Sequence, residues 1–426
     1  MTLGIDFNSV IIFSAQSFPD KLSILTSSVK SVPPNLGLSS AEDKPRFGGT
    51  LLTDDVSIDN LSGKDWAEKI ITELKSMPNV TVKNRSQVFG YYDHNMLVMF
   101  ERVSDHLEKK SKFTPRQRLW YIRAKETILS TGSIERPIVF GNNDTPGIFL
   151  SAAAKEYMKV YGVLVGKKPL IFTNNDSAYE TALEFKKNNV EPIILDTREE
   201  HSSELIDEAK SKGIDIRFSH GVIVANGYKK VKSAKIGKLN KDKNSFEKIE
   251  TVDCDCICVS GFWTPSVHLA SQSGNKLKYE EKIDAFIPDK KKQHETSVGA
   301  ANGSFTLEES LKHGFENGSN LSAKITETKT EISIPNVNEK KYGAHDKFWC
   351  MPLPKNENPK RFVDFQNDVS VSDIEIALRE GYRSIEHVKR YTTLGMATDQ
   401  GRTSNLNGLQ LVSNIENKIV PEVGHT

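Results

Sequence analysis

Apolar and polar positions along this chain repeat with two periods, and the switches between them mark the elements. "DWAEKIITELKSM" (65–77) carries apolar residues at helical spacing, with Asp65 near its start, and predicts a helix. "NVTVKNRSQVFGYYD" reads as a strand entering a turn. "LVMFERVSD" and "RLWYIRAKETILSTG" read as further strands, the second closing on small residues at Ser130–Gly132. "GIFLSAAAKEYMKVYG" (147–162) predicts a helix that stops at Gly162. From 168 the rhythm is regular: strand "KPLIFT", helix "SAYETALEFKKNN", strand "EPIILDTREE", helix "SSELIDEAKSKG", then "IDIRFSHGVIVANG" as strand and turn. Such β-α-β-α-β order implies a parallel sheet with helices on its faces. A meander of short strands (230–260) follows, and later "SVGAANGSFTLEESLKHGFENGSNL" reads as a glycine turn entering a helix. Residues 1–40 show apolar pieces without a sustained period, an irregular start ending in a Pro/Gly/Ser stretch.

Bulk properties narrow the class. At 426 residues the chain is too long for one core. A net charge of +1 gives no argument for nucleic acid or anionic membrane as partners. The basic stretches "KKVKSAKIGKLNKDK" (229–243) and "DKKKQ" (289–293) are broken by acids and read as solvated loops or hairpin tips. No apolar run reaches the length of a membrane span, and the N-terminus lacks signal-peptide features, so a cytoplasmic location is expected. Three of four cysteines lie in "DCDCICVS". Strand spacing would put Cys254, Cys256 and Cys258 on one face, where they read as small hydrophobes rather than metal ligands, since metal spacings leave two or more residues between ligands.

Four stretches carry candidate chemistry. In "AEDKPRFGGTLL" (41–52), Glu42 stands where the acid at the end of a second strand hydrogen-bonds an adenosine ribose, and Gly48–Gly49 allow close backbone approach. The glycine fingerprint that should precede such an acid by about 20 residues is missing: Gly4 and Gly37 are the only glycines before position 48. In "ETILSTGSIERP" (126–137), Thr131–Gly132 close an apolar strand with small residues, a cofactor-side junction or a plain strand-to-turn junction. In "SVGAANGSF" (297–305), Ala300 occupies the place of the aspartate that binds a flavin ribitol in two-dinucleotide flavoproteins, while Asn302 and a helix N-terminus near Ser304 offer backbone N–H groups to a pyrophosphate. In "KPLIFTNNDSAYETA" (168–182), the turn entering the helix carries Asn174, Asn175 and Asp176 instead of glycines. These side chains are expected to cap the helix, and Asp176 supplies the negative charge a phosphate would bring: a nucleotide fold without the site.

Taken together, "EDKPRFGGTLL", "VFGYYDHN", "RQRLW", "STGSIERP", "FTNNDSAYETA", "PSVHLASQSG", "VGAANG" and "HVKRYTTLGMATDQGRTSN" closely resemble the alpha subunit of bacterial heterotetrameric sarcosine oxidase, from about residue 41 to the end. The resemblance implies an oxidoreductase subunit in a complex that oxidises sarcosine to glycine and passes the one-carbon unit to tetrahydrofolate. It implies a beta subunit carrying FAD, smaller delta and gamma subunits, and an FMN at the alpha–beta interface. It also implies NAD in the alpha subunit's dinucleotide site, lined here by Glu42, Asp43, Gly49, Thr50, Val88, Ala301 and Thr306, with Gly48, Thr131 and Gly132 counted beside them as cofactor-side positions. Lys389, Arg390, Thr392, Thr393, Gln400 and Thr403 mix basic and hydroxyl groups in a way that suits the FMN phosphate. A capped, solvated helix end is the other reading of that stretch. "VDFQND" shows no cysteine where related amine and opine oxidases hold an iron–sulfur cluster, so the small domain is expected to keep its fold without the cluster.

The expected fold class is α/β, with two nested Rossmann-like dinucleotide-binding domains and a small helical C-terminal domain. The first domain is expected over 41–165 and 290–325, the inserted second over 166–289, a linker over 326–361 and the small helical domain over 362–426. The family's alpha subunit is longer, with an N-terminal ferredoxin-like region and a C-terminal aminomethyltransferase-like domain that have no counterpart in this sequence, so a truncated product or a cut piece is expected. No catalytic residue and no metal ligand is identified in the chain, which places the chemistry on flavin and a partner. Two alternatives stay open: a non-catalytic binding scaffold, and a stand-alone flavin-dependent amine or opine dehydrogenase.

Overall fold

The computed structural model describes residues 3–5, 9–14, 37–326 and 333–424. The chain forms two compact units, one from residues 1–134 and 264–339, the other from 135–263 and 340–426.

The first unit is built on a five-stranded sheet in the order Glu295–Ser297, Glu126–Ser130, Ser9–Ser14, Gly37–Ala41, Val80–Lys83, with every neighbouring pair parallel. Two of these strands lie in the stretch that read as irregular: "SVIIFS" and "GLSSA" are too short to show a period, and only their pairing reveals them. The 15–36 connection, with the turn that should carry glycines, lies outside the described residues. From Ser9–Ser14 the chain steps to Gly37–Ala41 and Val80–Lys83 on one side, then to Glu126–Ser130 and Glu295–Ser297 on the other. That reversal places a crevice outside the carboxyl ends of the two central strands. A second sheet, ordered Leu3–Ile5, Gln117–Arg123, Met96–Arg102, Ser86–Tyr92, packs Ala41, Val88, Tyr91 and Trp120 into a common core. "RLWYIRAKETILSTG" is therefore two strands in two sheets, broken at Ala124–Lys125.

The helix Gly63–Ser76 starts because the Ser62 hydroxyl accepts the Asp65 N–H at 3.1 Å. It stays because Trp66, Ala67 and Leu74 bury one face, the first two against Phe47, Leu51, Leu311 and Phe315.

In the second unit the sheet order is Ile148–Leu150, Cys256–Ser260, Pro169–Thr173, Ile193–Asp196, Asp215–Phe218, again all parallel. Both faces are covered, which explains unbroken apolar runs such as "PLIFT". Leu170 and Phe172 point to one core with Ile257 and Val259, while Ile171 points to the other with Cys256 and Cys258. Cys254 joins the first of these cores rather than sharing a face with its neighbours, because the strand begins only at Cys256. Among the described residues there is no metal-ligand cluster.

The stretch 147–162 is a short strand, Ile148–Leu150, followed by the helix Ser151–Tyr161, which ends as expected at a left-handed Gly162. The basic stretch 229–243 is a tip only at its ends; Val231–Leu239 is the central strand of an antiparallel three-stranded sheet. Nor is 326–361 merely a connection: Phe348, Trp349 and Met351 are buried in the second unit. The helices Val371–Arg379, Ile385–Thr392, Asn405–Glu416 and Val420–Val423 complete the C-terminal block. Among the described residues, no helix is long and apolar enough to cross a membrane.

Candidate functional site

In the first unit, the carboxyl ends of adjacent strands bring the expected nucleotide residues to one edge of the sheet. Glu42 follows Gly37–Ala41 directly and is buried. Its backbone N–H donates to Lys83 O at 2.9 Å, its carbonyl accepts from Ser86 N at 2.8 Å, and its Oε1 accepts Lys44 N at 3.1 Å. Asp43 is next in line. Gly48 and Gly49 then turn the chain with φ of 137° and 51°, the second with ψ of −129°, a conformation that side-chain-bearing residues rarely adopt. They lead into the 3-10 turn Thr50–Leu52. Thr50 is 7% exposed, yet among the described residues its Oγ1 has no hydrogen-bond partner; neither has Oγ of the fully buried Ser40, on the adjoining strand. The orphaned buried hydroxyl of Thr50, next to the tight glycine turn, is a group that a ribose-sized polar ligand would satisfy. Val88 is buried on the strand Ser86–Tyr92 beside a register shift between Val88 and Gly90.

The other half of the edge is occupied by the protein itself. After Glu126–Ser130, Thr131 Oγ1 donates to Ser266 O at 2.6 Å and Gly132 O accepts Ser266 N at 2.7 Å. Ala300 and Ala301 are buried in the 3-10 turn Gly299–Asn302. The helix begins at Leu307, not near Ser304, and its first donors are taken: Leu307 N and Glu308 N bond Glu339 Oε2 and Oε1 at 2.8 and 2.9 Å. Thr306 Oγ1 accepts Glu309 N at 3.3 Å and completes the cap. A carboxylate thus sits on the helix terminus expected to meet a pyrophosphate. The residues fit the nucleoside end of a dinucleotide; this helix terminus does not fit the phosphates. Glu339 escaped sequence reading because it lies 32 residues beyond the helix start, inside an apparent linker.

The turn 173–177 of the second unit is closed by side chains. Asn175 Oδ1 accepts Ser177 N at 3.0 Å, and its amide donates to Ser260 O and Oγ at 3.2 and 3.0 Å. Asn175, rather than Asp176, therefore caps the helix Ser177–Lys187 through its side chain. The Asp176 carboxylate turns instead to the Arg198 guanidinium at 2.8 Å and to Gly343 N at 2.7 Å. Burial pushes this carboxyl up, but Arg198 and Gly343 outweigh it and hold it below its ordinary range. Nearby, Glu135 is fully buried; its carboxylate accepts Ala152 N at 2.8 Å, and burial pushes it up to about 7.

In the C-terminal block the expected phosphate residues are scattered around one helix end and the loop after it. Lys389 and Arg390 are consecutive in the last turn of Ile385–Thr392, about 100° apart around the axis. Thr392 Oγ1 donates to Val388 O at 2.7 Å, inside its own helix. Thr393 is left-handed and exposed; Gln400 is exposed with Nε2 on Ala397 O at 2.8 Å. Thr403 lies on the wall of a cavity of about 290 Å³ with Phe140, Phe149 and Phe365. "VDFQND" is held by its acid: Asp364 Oδ2 accepts Gly395 N at 2.7 Å and Ser404 Oγ at 3.3 Å, and Oδ1 accepts Gln366 N at 2.9 Å.

Residues 358–426 match the family described as Sarcosine oxidase A3 domain. The sarcosine oxidase subunit alpha of Rhizobium meliloti (strain 1021) is 35% identical over 384 residues, covering 89% of this chain and 37% of that protein. That of Corynebacterium sp. (strain P-1) is 31% identical over 400 residues, covering 90% and 40%. The chain therefore spans about two-fifths of the length of these relatives. In fold it is similar to L-proline dehydrogenase from P. horikoshii, with a TM-score of 0.70 at 18% identity over 100% of this chain and 77% of that one. Thioredoxin reductase from T. acidophilum gives 0.56 at 12% identity, over 75% and 99%. Two Rossmann-like units and a small helical block, on a sequence homologous through nine-tenths of its length to sarcosine oxidase alpha subunits, make this chain an α/β homologue of those subunits.

Proposed function

We propose that this chain is the alpha-subunit-like scaffold of an amine-oxidising flavoprotein of sarcosine oxidase type, acting on an N-methyl amino acid such as sarcosine. In this reading the first unit holds NAD, with Glu42 on the adenosine ribose, Asp43, Gly48, Gly49 and Thr50 close around the nucleoside, and Val88 beside the adenine. Thr131, Gly132, Ala301 and Thr306 form the far wall. Lys389, Arg390, Thr392, Thr393, Gln400 and Thr403 present one side of an FMN site shared with a partner chain. FMN, when bound, supplies electron transfer towards oxygen; the residues of this chain orient its phosphate and contribute no proton-transfer group. Amine oxidation itself belongs to flavin on a partner subunit.

The observation that carries the reading is the Glu42–Thr50 corner, where a buried acid at a strand end, a glycine turn and an orphaned hydroxyl coincide. Calorimetric titration with NAD is the test. Binding at unit stoichiometry that weakens at least about tenfold in Glu42→Ala, the loss of one bidentate-type contact, is the expected result. Unchanged affinity in Glu42→Ala would remove the nucleotide reading. A second reading, a binding scaffold without a working site, is favoured by Glu339 on the helix donors. The visible spectrum separates the two: a chain that gains a flavin band only with its partner subunits supports the oxidase, and one that stays colourless with them supports the scaffold.

A further inference from the structure

The second unit keeps the three elements with which a Rossmann sheet grips a dinucleotide: a turn into a helix N-terminus, an acid ending the second strand, and a crevice between the central strands. Each is engaged by the chain itself. At the helix N-terminus, Ser177 N bonds Asn175 Oδ1 at 3.0 Å, and the Asp176 carboxylate stands where phosphate charge would come. The acid ending Ile193–Asp196 is Asp196, the counterpart of a ribose-binding residue. It accepts Tyr179 Oη at 2.8 Å and Arg198 Nη2 at 2.6 Å, with Arg198 Nε on both oxygens.

Over this closed edge runs residues 342–351. Gly343 N donates to Asp176 Oδ2 at 2.7 Å, and Ala344 O accepts Arg198 Nη1 at 2.9 Å. Asp346 N donates to Asn174 O at 3.0 Å, and Asn174 Nδ2 returns a bond to Asp346 O at 2.7 Å. The His345 ring stacks on Phe262 with centroids 3.9 Å apart and planes 4° apart. Trp349 lies under the Arg136 guanidinium at 4.1 Å, and Trp349 O and Met351 N bond Val139 as a strand would. Backbone, ring and charge contacts thus repeat, with polypeptide, the kinds of contact a dinucleotide makes with its phosphates, base and riboses.

We infer that the crevice of the second unit is a seat for residues 343–349 of the same chain, a strap in place of a nucleotide, and that the seated strap excludes pyridine nucleotides from this unit. A strand edge, an Asx turn and a buried Arg–carboxylate network hold it, so it belongs to the folded core of the unit. The inference stands whether or not the first unit binds NAD.

Hydrogen exchange read by mass spectrometry on the full chain tests it, alone and with millimolar NADH or NADPH. Expected is exchange of the 343–349 amides at least about 100-fold slower than in an unstructured peptide, in step with Pro169–Thr173, and unchanged by either nucleotide. Protection by NADH confined to residues 42–50 would agree with this, since the second crevice then stays closed. Two results would overturn the inference: strap amides exchanging as an unstructured peptide while Pro169–Thr173 is protected, or NADH releasing 343–349 while protecting 174–177. Asp176→Asn, which weakens the pairing to Arg198, is expected to speed strap exchange about tenfold or more; if that variant does not fold, the measurements on the unaltered chain still decide.

Discussion

Replacing Glu135 with glutamine isolates the charge of a fully buried acid while keeping an oxygen for Ala152 N, which the carboxylate now meets at 2.8 Å. Burial lifts this carboxyl from 4.5 to about 7, against the opposing pull of Ser260, Ala152 N and Lys155. A folded-state value above the unfolded one means that the folded protein binds the proton more tightly. The stability it contributes is full below about pH 4.5 and lost as pH rises through about 7. The difference, 7 − 4.5, is worth about 3 kcal/mol, of which about 2.5 kcal/mol disappears between pH 5 and pH 8. Glutamine does not titrate, so every other pH-dependent group cancels when the two proteins are compared. Urea unfolding of both at pH 5, 6, 7 and 8 is the assay. The unaltered chain is expected to lose about 2.5 kcal/mol relative to E135Q across that range. A difference flat to within about 0.5 kcal/mol would refute the reasoning, because Glu135 would then be titrating as a solvated acid.

Removing the carboxylate that caps Leu307 and Glu308, in Glu339→Ala, is expected to cost about 1–2 kcal/mol, read as a lowered urea midpoint; no change would mean the cap is not formed in solution. Asn175→Ala leaves Ser177 N and Ser260 without their buried partner and is expected to destabilise by about 1–3 kcal/mol, with thermal unfolding as the check. The thiols of Cys254, Cys256 and Cys258 are buried, and burial together with Cys256 and Asp255 pushes Cys254 up to about 12, so none should react with Ellman's reagent in the folded chain; rapid labelling of any of the three would contradict the packing.

How much was legible depended on whether a feature was local. The helix Gly63–Ser76 carried its apolar stripe in its own residues, while its cap, Ser62, lies just ahead of the stretch read as helical; Gly162 ended its helix where a left-handed residue was needed. The β-α-β rhythm from 168 onward declared a parallel sheet, since strands covered on both faces must be apolar throughout. The strands Ser9–Ser14 and Gly37–Ala41 were not legible, because five or six residues carry too few periods and their partners are more than 20 residues away. For the site, Glu42 and the Gly48–Gly49 turn could be read from the residue pattern and Thr50 only through the family resemblance, whereas the fate of the helix donors could not be read at all.

Read alone, the sequence announces α/β units with an acid closing one strand, a Gly–Gly turn after it and small residues closing another, although the glycine turn that should precede the acid is missing. It also showed that the turn 173–177 lacks the glycines a pyrophosphate requires. What packs against the helix terminus and the strand ends emerged only from the folded chain. Glu339 reaches the helix at Leu307, and residues 343–349 cover the second crevice. A polar linker has no hydrophobic period to announce where it packs. Its contacts include hydrogen bonds and ring stacks to residues more than 30 positions away, and such contacts become visible only when the chain has folded back on itself.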